Sequence, residues 1–69
     1  MKLSARNQIK GTVKKFIPGL VNSEVTLEIA PGVEIVSIIT KTSGENLHLS
    51  PGKEAYIVIK ATDVLLGVD

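Results

Sequence analysis

The sequence predicts a small, mainly β domain: a barrel of five strands with one short helix between the third and fourth strands. Apolar residues recur with a period close to two and most are β-branched, which is typical of strands with one buried face. Pro-Gly pairs interrupt this pattern and predict turns between the strands. A single segment, residues 42–49, loses the alternation and begins as a helix does.

The first strand is expected over residues 3–17, with a bend at Gly11, because an interior glycine often marks a bulge or a sharp curl. Its first half contains many hydrogen-bond donors and few apolar side chains. In an extended strand Ser4 and Arg6 lie on the same face, two residues apart. The second strand is expected at residues 25–29, where apolar and polar residues alternate regularly.

The third strand, residues 33–41, is apolar on both faces. One face carries Val33, Ile35 and Ile39, and the other carries Val36 and Ile38. A chain this small has little interior in which to bury a strand on both sides. We therefore expect the second face of this strand to meet another subunit.

The helix is expected to begin at Thr42, because Thr42 and Glu45 form a capping-box pattern. A turn then leads into a fourth strand, residues 54–60, with an apolar face formed by Ala55, Ile57 and Ile59. Residues 63–68 are expected to form the fifth strand. Five strands with a helix between the third and fourth is the element order of an oligonucleotide/oligosaccharide-binding (OB) barrel.

Length and composition predict association between copies of the chain. Residues 1–69 form one small domain, and a domain of this size buries only about 60% of the surface that its unfolded chain exposes. The chain has no cysteine and one histidine, so neither disulfides nor a zinc site is expected to support the core. The hydrophobic content of 43% is high for so small an interior. We expect an obligate homo-oligomer.

Several functional classes find little support in the sequence. No apolar run approaches the roughly 18 residues that cross a membrane, and no secretory signal follows Lys2, so we expect a cytoplasmic protein. The net charge of +1 argues against duplex nucleic acid, and Phe16 and Tyr56 are the only aromatic platforms for single strands. His48 has no nucleophile arranged beside it, so we expect no catalytic residue and no enzymatic activity.

Hydrogen-bond donors cluster at strand and helix ends in three stretches: residues 4–7, residues 40–44 and residues 60–62. Micromolar affinity needs about −8 kcal/mol, which several hydrogen bonds to a charged ligand could supply at about 1.5–3 kcal/mol each. Converging donors would therefore form an anion site. The alternative explanations are a surface ion pair with a glutamate for Arg6, a solvated strand end for Lys60 and a helix cap for Thr42, and spacing alone does not decide between these and an anion site.

The segments SARNQ near the start and IKAT near the end, with GLVNSEVTLEI and EIVSIITKTSGENLHL between them, closely resemble the molbindins. Molbindins are small cytoplasmic molybdate-binding proteins made of a single Mop domain, and the resemblance covers residues 3–68. It implies an OB-type barrel with strands exchanged between subunits, in a hexamer built as a trimer of dimers. It also implies storage or homeostasis of molybdate or tungstate, which would be a ligand and not a cofactor.

The resemblance implies an oxyanion site at subunit interfaces formed by Ser4, Ala5, Arg6, Thr40, Ser43, Lys60 and Ala61. Some relatives have a hydroxyl residue where this chain has Ala61, which leaves only the backbone of that residue as a donor. A second oxyanion site near the three-fold axis is expected at Asn22 and Ser23. We expect the Lys60 that faces Arg6 to come from a neighbouring subunit.

Molybdate at neutral pH is a tetrahedral dianion with four acceptor oxygens and no proton to donate. A pocket made only of donors suits it, whereas hydrogen phosphate carries a proton that would be left unpaired there. Two alternatives stay open: a nucleic-acid-binding OB module, and a protein that binds the molybdopterin cofactor. A pterin ring needs apolar or aromatic walls, which are scarce near these donors in the sequence.

Overall fold

One curled antiparallel sheet forms most of the molecule in the computed structural model, which describes residues 1–69. Its strands lie in the order β3-β2-β1-β4, with the bounds β1 (Asn7–Pro18), β2 (Asn22–Ala30), β3 (Val33–Thr40) and β4 (Glu54–Ile59). Helix α1 (Lys41–Asn46) lies between β3 and β4, and a short 3-10 turn (Ala61–Asp63) follows β4. The predicted mainly β class with one short helix is confirmed. The sheet has four strands and not the five that the sequence predicted.

Strand β1 carries the curl of the sheet because it pairs with a different neighbour at each end. Its first half pairs with β4, from Asn7 opposite Ile59 to Thr12 opposite Glu54. Its second half pairs with β2, and the register shifts between Val13 and Lys15. An extra residue in one strand of an antiparallel pair increases the local twist, so this irregularity turns β1 from one partner to the other.

Gly11 is not the bend that the sequence predicted. It pairs with Ala55 in unbroken register, and the irregularity in β1 comes two residues later. A Cβ atom at Gly11 would lie 3.3 Å from the carbonyl oxygen of Glu28 and 3.4 Å from the Ile57 side chain. The glycine therefore permits a close approach of the neighbouring strands.

The core is small and lies on the concave face of the sheet. Val13, Val25 and Leu27 are its buried hydrophobic residues, and half-buried side chains pack against them from the other elements: Phe16, Ile39, Leu49, Ala55 and Ile57. The predicted apolar face of the fourth strand is confirmed, since Ala55, Ile57 and Ile59 are all half-buried. In β3, Val36 and Ile38 lie on the other face and are 58% and 61% exposed.

Helix α1 begins two residues earlier than the capping-box pattern predicted. Its N-cap is Thr40, whose extended backbone ends β3 and whose Oγ1 accepts a hydrogen bond of 3.0 Å from the Ser43 N–H. An N-cap residue needs this extended conformation, which Thr40 takes from the pairing of β3 with β2. Thr42 and Glu45 lie inside the helix. No helix of the chain is long and apolar enough to span a membrane.

Two predictions are wrong at one end of the sheet: the first strand starts later than predicted, and the fifth strand is not formed. Strand β1 begins at Asn7, so residues 3–6 precede the sheet. After β4 the chain enters the 3-10 turn, where the Asp63 N–H donates to the Lys60 carbonyl at 2.9 Å. The turn takes the backbone out of the extended path of β4, and residues 64–69 belong to no strand within the chain.

Candidate anion-binding site

A cleft opens where β1 begins and β4 ends. Asn7 opposite Ile59 is the last pair between these strands, so the residues just outside that pair leave the sheet side by side. The cleft has a volume of about 260 Å³ and is lined by Ser4, Ala5, Arg6, Lys60, Ala61 and Thr62. The structure therefore brings together five of the seven residues assigned to the oxyanion site, from segments more than fifty positions apart in the sequence.

Arg6 and Lys60 of the same chain line this cleft. The expectation that the Lys60 facing Arg6 comes from a neighbouring subunit concerns a contact between two chains and stays a prediction. Within one chain, the antiparallel pairing of β1 with β4 sets the residue before Asn7 next to the residue after Ile59. One chain is sufficient to place both positive charges at one end of its sheet.

The cleft contains cations and donors but no carboxylate among its lining residues. The salt bridges of the chain are Lys10 with Glu54 at 2.8 Å and Lys14 with Glu28 at 3.7 Å, so Arg6 and Lys60 take part in neither. The surface ion pair that could have explained Arg6 is thus absent, and Lys60 also pairs with no carboxylate. The backbone N–H groups of Ala5, Arg6 and Lys60 also donate to no backbone acceptor.

A second open cleft has a similar volume but differs from the donor cleft in its charge. It has a volume of about 270 Å³, and its lining includes Lys10, Thr12, Glu28 and Glu54. Here the cation is already paired, and the hydrogen bond and negative charge of Glu54 raise the pKa of Lys10 above its ordinary value of 10.5. Because Glu54 compensates the positive charge of Lys10, the carboxylates of this cleft would repel an anion. The donor cleft is therefore the better anion site.

Side-chain amides hold the two segments of the donor cleft. The Gln8 amide donates to the Ala5 carbonyl at 3.2 Å, and the Asn7 amide donates to the Ile59 carbonyl at 3.4 Å. In the 3-10 turn, the Lys60 and Ala61 carbonyls accept from backbone N–H groups at 2.9 and 3.3 Å. Several carbonyl oxygens beside the cleft are thereby occupied, which favours a site that presents donors.

The other two residues assigned to the site lie at the far end of the sheet. Thr40 pairs with Asn22, beside the end of β1 at Pro18, whereas the donor cleft lies at the start of β1. β1 is 12 residues long, so the two ends are separated by a distance on the order of 30 Å. The Thr40 hydroxyl donates to the Ser43 Oγ at 2.8 Å, and this pair lies apart from the donor cleft in the single chain.

The two residues assigned to the second oxyanion site do not share a surface in the single chain. Asn22 is exposed, whereas Ser23 is 1% exposed and its Oγ has no hydrogen-bond partner. Adjacent residues of a strand point to opposite faces of the sheet, which explains the difference. Ser23 therefore lies within the core side of β2 and is no surface ligand here.

Thr62 lines the donor cleft and was not among the residues assigned to the site. Its hydroxyl lies two positions after Lys60, in the 3-10 turn, and makes no hydrogen bond within the chain. The sequence signal was present, because Thr62 follows Lys60 in the donor-rich stretch of residues 60–62. That Thr62 borders the cleft is visible only in the structure, where the 3-10 turn after β4 places it beside Lys60 and Ala61.

A family model described as the TOBE domain matches residues 3–66 of the chain. The chain belongs to the TOBE-domain family. This TOBE-domain chain is 50% identical over 66 residues to molybdenum-pterin-binding protein 3 of Clostridium pasteurianum, covering 96% of this chain and 97% of that protein.

The TOBE-domain chain is also similar to solved structures of molybdate-binding proteins. A molybdate-binding protein from Sporomusa ovata superposes with a TM-score of 0.91 at 34% identity, covering 99% of this chain and all of that one. The cytoplasmic molybdate-binding protein ModG, solved with molybdate bound, superposes with a TM-score of 0.93 at 51% identity. That match covers all of this chain and 49% of the ModG chain. The resemblance to molbindins and the OB-like fold class are confirmed.

Proposed function

We propose that this chain binds molybdate in the donor cleft formed by Ser4–Arg6 and Lys60–Thr62. The observation that carries the proposal is the presence of two unpaired cations, Arg6 and Lys60, in one cleft that has no carboxylate in its lining. Similar proteins described as molybdate-binding or molybdenum-pterin-binding support the choice of ligand. The role is one of binding and not of catalysis.

The charge and hydrogen-bonding capacity of the cleft suit a tetrahedral dianion. Arg6 and Lys60 supply two positive charges, which balance the two negative charges of molybdate or tungstate. The hydroxyl groups of Ser4 and Thr62 and the free backbone N–H groups supply donors to the remaining oxyanion lone pairs. Hydrogen bonds to a charged ligand contribute about 1.5–3 kcal/mol each, so about three to six of them are needed for the roughly −8 kcal/mol of micromolar affinity.

We propose that the site becomes complete between two chains. Thr40 and Ser43 of a second chain would supply the hydroxyl groups that cannot reach the cleft of their own chain, since they lie at the opposite end of the sheet. A homo-oligomer of the molbindin type, a hexamer built as a trimer of dimers, offers such a contact. Exchange of a strand formed by residues 63–68 would also cover apolar side chains that the single chain exposes, such as Leu65 and Leu66.

The biological role that follows is storage or homeostasis of the oxyanion in the cytoplasm. The described residues form a binding cleft and no arrangement of a nucleophile with a base, and no group of three or more metal-ligating side chains occurs among residues 1–69. Reversible occupancy of the cleft would buffer free molybdate or tungstate at concentrations near the dissociation constant.

Titration calorimetry with molybdate, tungstate and sulfate tests the proposal on the wild-type protein. We expect binding of molybdate and tungstate, and a loss of at least about tenfold in affinity for Arg6→Ala, because one charged hydrogen bond and one charge are lost. Lys10→Ala is the matched control: it removes a cation four residues after Arg6 in the sequence, but one that is paired with Glu54. Absence of molybdate binding by the wild-type protein would refute the proposed function.

Binding of the molybdopterin cofactor is a second candidate, favoured by the name of the Clostridium relative. The structure contains an apolar cleft of about 160 Å³ on the concave face of the sheet, lined by residues that include Leu47, Leu49 and Tyr56. None of its lining residues borders the donor cleft, so one pterin-molybdate ligand would have to span two separate sites. An absorbance spectrum of the purified protein distinguishes a bound pterin from the bare oxyanion.

A nucleic-acid-binding role has weaker physical support. Phe16 packs against the core, where its ring lies next to Gly44, so it offers no free face for stacking. Tyr56, at 57% exposure, remains as the one exposed aromatic platform, and single-strand binding relies on several. A filter-binding assay with single strands at low salt checks this alternative.

A further inference from the structure

Two side-chain amides lie directly beside the donor cleft without lining it. Gln8 is exposed, and its amide donates to the Ala5 carbonyl three residues back along the chain at 3.2 Å. Asn7 is half-buried, and its amide donates across the sheet to the Ile59 carbonyl at 3.4 Å. Each amide thus contacts the backbone of one of the two segments that form the cleft.

The hydrogen bond from Gln8 fixes a particular peptide plane. The Ala5 carbonyl and the Arg6 N–H belong to one trans peptide unit, so they point in opposite directions. When the carbonyl is held by Gln8, the Arg6 N–H points away from Gln8, and it has no acceptor within the chain. Both residues of this peptide unit line the cleft.

The segment before β1 has little else to hold it. Residues 1–6 precede the sheet, their backbone N–H groups make no hydrogen bond to backbone acceptors, and Ser4 and Arg6 are exposed. Exposed segments with few backbone hydrogen bonds and few buried contacts are mobile. An anion that binds to a mobile segment must order it, which lowers the affinity.

We infer that Gln8 is a positioning residue for the anion cleft, assisted by Asn7, and that it acts through the Ala5–Arg6 peptide unit and not by contact with the anion. This inference rests on the proposed function of the cleft. It also accounts for the run of donors at the start of the chain. Ser4 and Arg6 face the ligand, whereas Asn7 and Gln8 hold the backbone on which those residues lie.

The test replaces Gln8 with methionine, which has a similar length and no donor. We expect Gln8→Met to bind molybdate about three- to tenfold more weakly than the wild-type protein in calorimetry, the range of one neutral hydrogen bond. We expect the melting temperature to stay unchanged, because Gln8 is exposed. Asn46→Leu is the matched control, since it removes an exposed amide at the end of α1 that makes no side-chain hydrogen bond and does not line the donor cleft.

A local readout separates positioning from general stability. In the absence of anion, the ¹⁵N order parameter of the Arg6 amide should fall from about 0.85 in the wild-type protein to about 0.6 in Gln8→Met, and it should recover on saturation with molybdate. Asn7→Leu should weaken binding in the same direction.

The outcomes discriminate between the two proposals. Unchanged molybdate affinity or an unchanged Arg6 order parameter in Gln8→Met would refute the positioning role and leave the proposed function intact. Failure of the wild-type protein to bind molybdate would refute both. Equal weakening by Asn46→Leu would also refute the specific role of Gln8.

Discussion

His48 occupies a backbone conformation that most residues avoid. Its φ angle is 53°, the one positive value among the non-glycine residues. The His48 N–H donates to the Glu45 carbonyl at 3.1 Å and the Leu49 N–H to the Gly44 carbonyl at 3.3 Å, which together form a Schellman motif at the end of α1. Glycine is the usual residue at this position because it has no Cβ. The sole imidazole of the chain therefore has a structural position at the end of α1.

Replacement of His48 by glycine should stabilise the protein. We expect His48→Gly to raise the free energy of unfolding by about 0.5–1 kcal/mol, because the left-handed conformation no longer carries a steric cost. Denaturant unfolding measures the change. His48→Ala is the control, since alanine retains a Cβ in the same conformation, and an equal gain from alanine would contradict the explanation.

At the scale of single elements, the turn between β1 and β2 depends on Gly19. A Cβ atom at Gly19 would lie well inside van der Waals contact with the Asn22 carbonyl oxygen. We expect Gly19→Ala to lower the free energy of unfolding by about 1–3 kcal/mol, because backbone atoms of the turn must move. Gly67→Ala should have no effect, since a Cβ at Gly67 meets nothing within 4 Å. Thermal unfolding of both variants checks the prediction, and equal stability would contradict it.

The regular strands were predictable from the sequence because their residues alternate between two environments. In β2, Val25 and Leu27 are buried while Glu24 is exposed, and β4 alternates in the same way. The ends of elements were less predictable. Thr40 and Thr42 are both chemically suitable N-caps, and the choice of Thr40 is made by its pairing with Asn22 in the neighbouring strand.

At the scale of the whole molecule, the exposed apolar surface is the reason why we propose that the chain is stable only in association. Three hydrophobic residues are buried, whereas Val36, Ile38, Leu65 and Leu66 are exposed. We expect the melting temperature to rise by about 5–10 °C when the protein concentration increases about a hundredfold, because dissociation accompanies unfolding. Ile38→Lys should reduce this dependence. A melting temperature independent of concentration, with a monomer in sedimentation equilibrium, would contradict the proposed oligomer.

The kinds of residue that form the candidate site could be predicted from the sequence, but their position in the fold could not. The donors around Arg6 and around Lys60 are visible as separate stretches, and the resemblance to molbindins assigned them to one site. Their actual proximity depends on the register of Asn7 with Ile59, a pairing across 52 positions that no local pattern encodes. The pairing of Thr40 with Asn22, beside the other end of β1, explains why Thr40 and Ser43 lie away from this cleft.

The pairing of Asn7 with Ile59 also determines where the two ends of the polypeptide leave the sheet. Residues 1–6 and residues 60–69 both extend from the end that carries the donor cleft. Two such units could accordingly be joined in tandem through a short linker, as a gene duplication would require. A purification tag or partner domain fused to either terminus would therefore be attached at the end of the sheet that carries the cleft.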